Sequence, residues 1–286
     1  MTLFHSLRSK VQILVLGLIL GLPLVGCGNM SMLSREQEIA LGEQHAPRFL
    51  SEGGGEVRDA TTNNYVASIG QKLVAALPPE HRRKMPWEFR VLDSAVINAF
   101  ALPGGKVFIS RGLLEKLENE AELAGVLGHE IGHVTAQHIG KQMTQQMMIK
   151  TGLSILTSAT DSQWVEVLGG TGGNLFLLKY GRGQETQSDT LGMLYMSRAG
   201  YDPAGMLGLI NVLMEASKGG GQPEMLSTHP HPESRLANAK QLLATRYAQT
   251  RNNPSFQLHP LPYQQNVIQR LQRLPPATHG TKKKAA

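Results

Sequence analysis

A single cysteine, Cys27, stands among 286 residues, so no intramolecular disulfide can form and a cysteine-rich metal site is excluded. Outside Val11 to Leu24, no apolar run approaches the roughly 18 residues of a bilayer-spanning helix. The glycine-rich stretch Gly169 to Gly173 lacks the Gly-Lys-Ser/Thr ending of a phosphate loop, and a mobile flap is expected there instead. There is no internal repeat and no tetratricopeptide pattern, so a built-in helical docking array is not expected. Acids are missing from both ends. Residues 1–26 carry Arg8 and Lys10, and residues 251–286 carry Arg251, Arg270, Arg273, Lys282, Lys283 and Lys284, with no Asp or Glu in either. Setting those eight aside leaves 20 basic against 22 acidic residues in 27–250, although the whole chain is +6. The body is therefore near neutral, which argues against nucleic acid as a partner, since nucleic-acid-binding folds gather Lys and Arg on a working face.

A hydrophobic share of 41% with 17% charged residues describes a folded chain, long enough for one sizeable domain. Arg8 and Lys10, the apolar stretch Val11 to Leu24, and then Leu24-Val25-Gly26-Cys27 read as a secretory signal. Its ending resembles a bacterial lipoprotein signal, in which Cys27 is lipidated and becomes the first mature residue. The expected division is a signal over 1–26, a tether over 27–33, a main domain over 34–250, and a basic, mostly disordered tail over 251–286. The membrane would be touched only through the acyl anchor. By the same resemblance to Gram-negative lipoproteins, Gly28 rather than Asp after the cysteine points to the outer membrane and a periplasmic body.

Ser34 with Gln37 forms a capping-box pattern before a helix over Glu36 to Arg48. Val66, Ile69, Leu73 and Ala76 recur at helical spacing within Asn64 to Leu77. Trp87 to Leu92 and Lys106 to Ser110 read as strands, with a turn at Pro103-Gly104-Gly105 and a sheet edge at Asn98-Ala99-Phe100-Ala101. Asn119 with Glu122 opens a long helix expected to run to about Met148, where Met143, Met147 and Met148 serve packing. Further helices are expected over 174–199, Pro203 to Lys218 and Pro232 to Gln249, with one short helix near Gln264 to Leu274. The fold class is α+β, mainly helical.

The strongest chemical signal is His129-Glu130-Ile131-Gly132-His133, a pattern expected about 0.02 times by chance in this composition. On a helix, residues four apart share a face, so two imidazoles can bind one Zn²⁺ at about 2.0–2.1 Å each. Glu130 lies about 100° round, near enough for its carboxylate to serve water beside the metal without being a ligand. A catalytic zinc has three protein ligands and an open position, so the third should lie downstream. Glu185 and Asp189, four apart on the next long helix, offer themselves: Glu185 to complete the site, Asp189 to accept the free ring N–H of His129. His138, five past His133, suits a structural or supporting role better than ligation.

Val126-Leu127-Gly128-His129-Glu130-Ile131-Gly132-His133 resembles the zinc metallopeptidase family that includes HtpX, the CAAX prenyl proteases, the mitochondrial Oma peptidase and the envelope enzymes BepA and LoiP. Asn98 to Gly105 resembles its Asn-Ala-Phe-Ala segment and Gly-Gly turn, Arg182-x-x-Glu185-x-x-x-Asp189 its third-ligand helix, Ala199 to Pro203 that helix's exit, and Ser227-Thr228-His229-Pro230 with Arg235 a late segment. Gln187 and Ser188 stand where the family often has Glu and Ala, and His231 departs from its pattern. The resemblance implies a zincin-like (gluzincin) domain over 34–250 with a small sheet over the zinc helix. It implies one Zn²⁺ on His129, His133 and Glu185, and Glu130 as the catalytic base. It also implies His229 near the metal, occluding it or steadying the oxyanion, with Arg235 in support.

The expected function is a zinc-dependent endopeptidase of the bacterial cell envelope. It would hydrolyse peptide bonds in unfolded or misassembled proteins held along the Asn98 to Ala101 edge, in contact with outer-membrane assembly machinery. The alternatives are a chaperone-like zinc lipoprotein that assists outer-membrane protein assembly with little proteolysis, and a structural zinc protein closed by His229 as fourth ligand.

Overall fold

In a computed structural model of the chain, the structure describes residues 30–82, 84–151, 179–218 and 223–277. The leader, Cys27, Gly169 to Gly173 and Lys282 to Lys284 lie outside these residues. The chain divides into residues 1–30 and 31–286, and every element below belongs to the second unit.

Helix α1 (Arg35–Glu52) opens on the expected box: the Gln37 N–H donates to Ser34 Oγ, and the Gln37 side chain accepts the Ser34 N–H. It outruns the expected end, since Gly53, which breaks the pattern, comes only after Glu52. Helix α2 (Ala60–Ala75) starts four residues early because Asp59 caps it, accepting from the Thr62 N–H. Its Val66, Ile69 and Leu73 are buried, as their spacing requires.

Strands β1 (Glu88–Leu92), β2 (Ala99–Leu102) and β3 (Lys106–Ser110) form a sheet of order β1-β3-β2. β1 runs parallel to β3 with Glu88 opposite Lys106, and β2 antiparallel with Ala99 opposite Ile109. β2 is thus an edge of the three-stranded sheet, and Gly104 and Gly105 take positive φ in the turn between β2 and β3.

After α3 (Arg111–Leu114), α4 (Glu120–Thr135) packs against β2, β3 and α2. The helix expected to reach Met148 breaks. α4 ends at Thr135, Gln137 takes a left-handed φ of 57°, and α5 (His138–Thr151) begins at once. Helix α6 (Arg182–Arg198) crosses α4, and α7 (Gly205–Lys218) packs against both. The short α8 (Glu224–Thr228) leads to His229, and α9 (Pro232–Thr245) packs on α6 and α7.

The C-terminal segment carries the short helix expected near Gln264 to Leu274, but over residues 251–277 it is more ordered than expected: it forms α10 (Pro260–Tyr263), a π turn (Gln264–Ile268) and α11 (Gln269–Leu271). Tyr263, Val267 and Leu271 are fully buried in the main core, and each apolar side chain so buried contributes about 1.5–3 kcal/mol. The Asn, Gln and Pro content surrounds a four-residue apolar spacing that docks this segment. Arg270 pairs with Asp59 through two 2.8 Å contacts, and the Arg111 guanidinium donates to the carbonyls of Leu271 and Pro275.

Candidate metal centre and catalytic site

The site depends on how closely α4 and α6 approach. A methyl carbon at Gly128 would lie 3.2 Å from the Gly192 Cα, and one at Gly132 would lie 3.0 Å from the Ser188 carbonyl oxygen. Side chains at these positions would hold the helices apart. The glycines sit beside the two histidines, so their absence of bulk brings the imidazoles onto α6. The spacing Gly128-x-x-x-Gly132 is a readable signal in the sequence for this close approach.

His129, His133, Glu185 and His229 each offer a donor atom, all within 4.8 Å of one another, and none is more than 1% exposed. His133 Nε2 lies 3.0 Å from His129 Nε2 and 3.3 Å from Glu185 Oε1. His229 Nδ1 lies 3.2 Å from His129 Nε2 and 3.0 Å from Glu185 Oε1. Three or four nitrogen and carboxylate donors converging on one point suit a metal ion of the zinc kind. Both oxygens of Glu130 are buried without a hydrogen-bond partner, and Oε1 lies 3.7 Å from His229 Nε2. Glu130 is outside the convergent donor group and beside it.

A carboxylate layer lies behind the donors. Asp189 Oδ1 is 2.8 Å from His129 Nδ1, leaving Nε2 as the inward nitrogen. Arg235, wholly buried, donates from Nε and Nη2 to Asp189 at 2.8 and 2.7 Å. Its Nη1 lies 2.9 Å from Glu185 Oε2 as an ion pair without hydrogen-bond alignment. Burial pushes the Glu185 and Asp189 carboxyls up. The charges of His229 and Arg235 on Glu185, and of Arg235 on Asp189, outweigh it, and both are held below the ordinary carboxylate range. Burial holds His133 well below the usual histidine value, the state a ligand needs. Burial also lowers His229, but Glu185 and Glu130 outweigh it and leave it raised. A dication among these donors would reverse that order.

Every proposed site residue of α4, α6 and the segment around α9 thus meets at one place. Ala99, Phe100 and Ala101 lie in β2, an edge of the three-stranded sheet, and Asn98 immediately precedes it. Tyr180 went unsuspected. Its ring centroid lies 3.8 Å from that of His133 and 5.0 Å from that of His229, and its N–H donates to the Thr228 carbonyl. No motif marks it, because its role depends on contacts far apart in the chain.

A helix carrying His-Glu-x-x-His, crossed by a helix bearing the third donor under a small sheet, defines a zincin-like metallopeptidase domain. Residues 60–243 match the model of peptidase family M48. The beta-barrel assembly-enhancing protease of Yersinia pestis is 32% identical over 77% of this chain and 46% of that protein. Its counterpart in Escherichia coli K12 is 31% identical over the same shares. The mitochondrial metalloendopeptidase OMA1 of Arabidopsis thaliana is 34% identical over 54% of this chain and 31% of its own length. The chain belongs to peptidase family M48, and it spans about half the length of the first of these relatives.

Proposed function

We propose that this chain is a zinc-dependent endopeptidase of the bacterial cell envelope that hydrolyses unfolded or misassembled proteins. The observation that carries the reading is Glu130: a buried carboxylate neither of whose oxygens is hydrogen-bonded, beside a cluster of convergent donors and not part of it. His129, His133 and Glu185 would hold one zinc ion. Bound zinc would supply Lewis-acid polarisation of the peptide carbonyl and make water more acidic.

The remaining work belongs to the chain. Glu130 takes the proton from attacking water and returns it to the leaving amine. Asp189 holds His129 in the tautomer whose Nε2 faces inward. Arg235 offsets the charge of the two α6 carboxylates. An extended segment of substrate pairs with the edge strand β2 by main-chain hydrogen bonds, which favours locally unfolded protein and weak sequence preference. The leader ending in Cys27 supports a lipid-anchored periplasmic location, and the relatives named for β-barrel assembly support work beside the outer-membrane assembly machinery.

His229, inside the donor group, also fits a closed structural zinc site. Glu130, with neither oxygen hydrogen-bonded, disfavours that reading, since a purely structural centre has no use for a second buried carboxylate at its side. Cleavage of an unfolded protein, measured with zinc content, tests the proposal. Glu130→Gln is expected to keep zinc and to lose at least a hundredfold in rate, as removal of a general base costs about 10²–10⁴. Wild-type cleavage by Glu130→Gln would overturn it. Preserved envelope assembly by that variant would favour the chaperone-like reading.

A further inference from the structure

We infer that Gln187 and His138 form a positioning relay that fixes which nitrogen of His133 faces the metal; this rests on the metal centre proposed above. His133 Nδ1 and His138 Nδ1 lie 3.0 Å apart, so one must donate and the other accept. His138 Nε2 lies 3.0 Å from Gln187 Oε1, an acceptor, so the His138 proton resides on Nε2. Nδ1 of His138 is then the acceptor, and His133 must carry its proton on Nδ1. That leaves a lone pair on His133 Nε2, the nitrogen turned toward His129 and Glu185. The Ser188 hydroxyl, 3.4 Å from His138 Nδ1, is too distant to compete strongly.

The break between α4 and α5 makes the relay possible. On an unbroken helix His138 would lie about 140° round from His133 and point elsewhere. The left-handed Gln137 turns the chain and returns His138 to His133. His129 receives the same service from Asp189, so each imidazole of the pair has its own tautomer guide.

Zinc affinity, measured on the full chain by competition with a chromophoric chelator, tests the relay. His138→Phe keeps ring volume and removes the acceptor, and it is expected to weaken zinc binding by about 10–100-fold. Gln187 is exposed, so its variants leave the core alone. Gln187→Leu should weaken zinc binding, and Gln187→Glu, which still accepts from His138 Nε2, should restore it. A merely structural role would show as lost thermal stability of the zinc-free protein without this split between Leu and Glu. Wild-type zinc affinity in both Gln187→Leu and His138→Phe would overturn the relay alone. Absence of zinc binding in the unsubstituted chain would instead overturn the metal centre on which it rests.

Discussion

His229 sits where a fourth ligand would, with Nδ1 about as near to Glu185 as the donors are to each other. A catalytic zinc needs an open position, so a histidine held there competes with substrate. His229→Ala leaves three donors in place and is expected to retain zinc and to cleave an unfolded protein faster than wild type. A tenfold slower rate at full zinc occupancy would place His229 in support of the reaction instead. At this scale the sequence was most legible. His129 with His133 and Glu185 with Asp189 follow from spacing four apart on helices, and Glu130 from its place one residue on, because helical spacing holds whatever else the chain does. Tyr180 and the His138 contact were not legible, since one depends on a segment 47 residues away from its partner and the other on a backbone turn at Gln137 that no residue type announces.

Elements meet through what they lack. The crossing of α4 and α6 is set by Gly128, Gly132 and Gly192, where backbone faces backbone. Gly128→Val places a Cβ 3.2 Å from the Gly192 Cα and adds two further methyl groups, and it is expected to destabilise by about 1–3 kcal/mol, despite the gain in helix propensity. Chemical denaturation measures this, and zinc binding should weaken in step because the donors are carried by different helices. Unchanged stability and zinc affinity would show that the crossing has room to spare. Helix starts were legible where a capping-box pattern marks them, as at Ser34 and Asn119, and were missed where Asp59 caps alone. Ends were legible where glycine or proline follows, as after Arg198, but the end of α4 was not. The break after Thr135 is closed by backbone hydrogen bonds, from the Ala136 N–H to Gly132 and from the Gln137 N–H to Val134, which any residue can make.

The whole molecule is closed by its C-terminal segment, which the composition had suggested was loose. Arg270, beside Asp59, holds that carboxyl far below its ordinary range. A carboxyl depressed in the folded state stabilises above its unfolded value of about 3.9, and the contribution is lost as pH falls below that. Arg270→Met should therefore lower the melting temperature at pH 7 and flatten its fall between about pH 5 and pH 3; an identical acid profile in both proteins would remove the pair from the stability of this clamp. The fold as a whole was legible as mainly helical with a small sheet, because capping or periodicity marks most of its elements. The docking of residues 260–271 was not, because three buried side chains among polar neighbours carry it. The central claim is that donors from α4 and α6 share one zinc ion while Glu130 stands apart, and zinc content after dialysis of wild type, Glu130→Gln and Glu185→Gln tests it most directly. One zinc per chain in the first two and less than a tenth of that in the third is the expected result; full zinc retention by Glu185→Gln would contradict it.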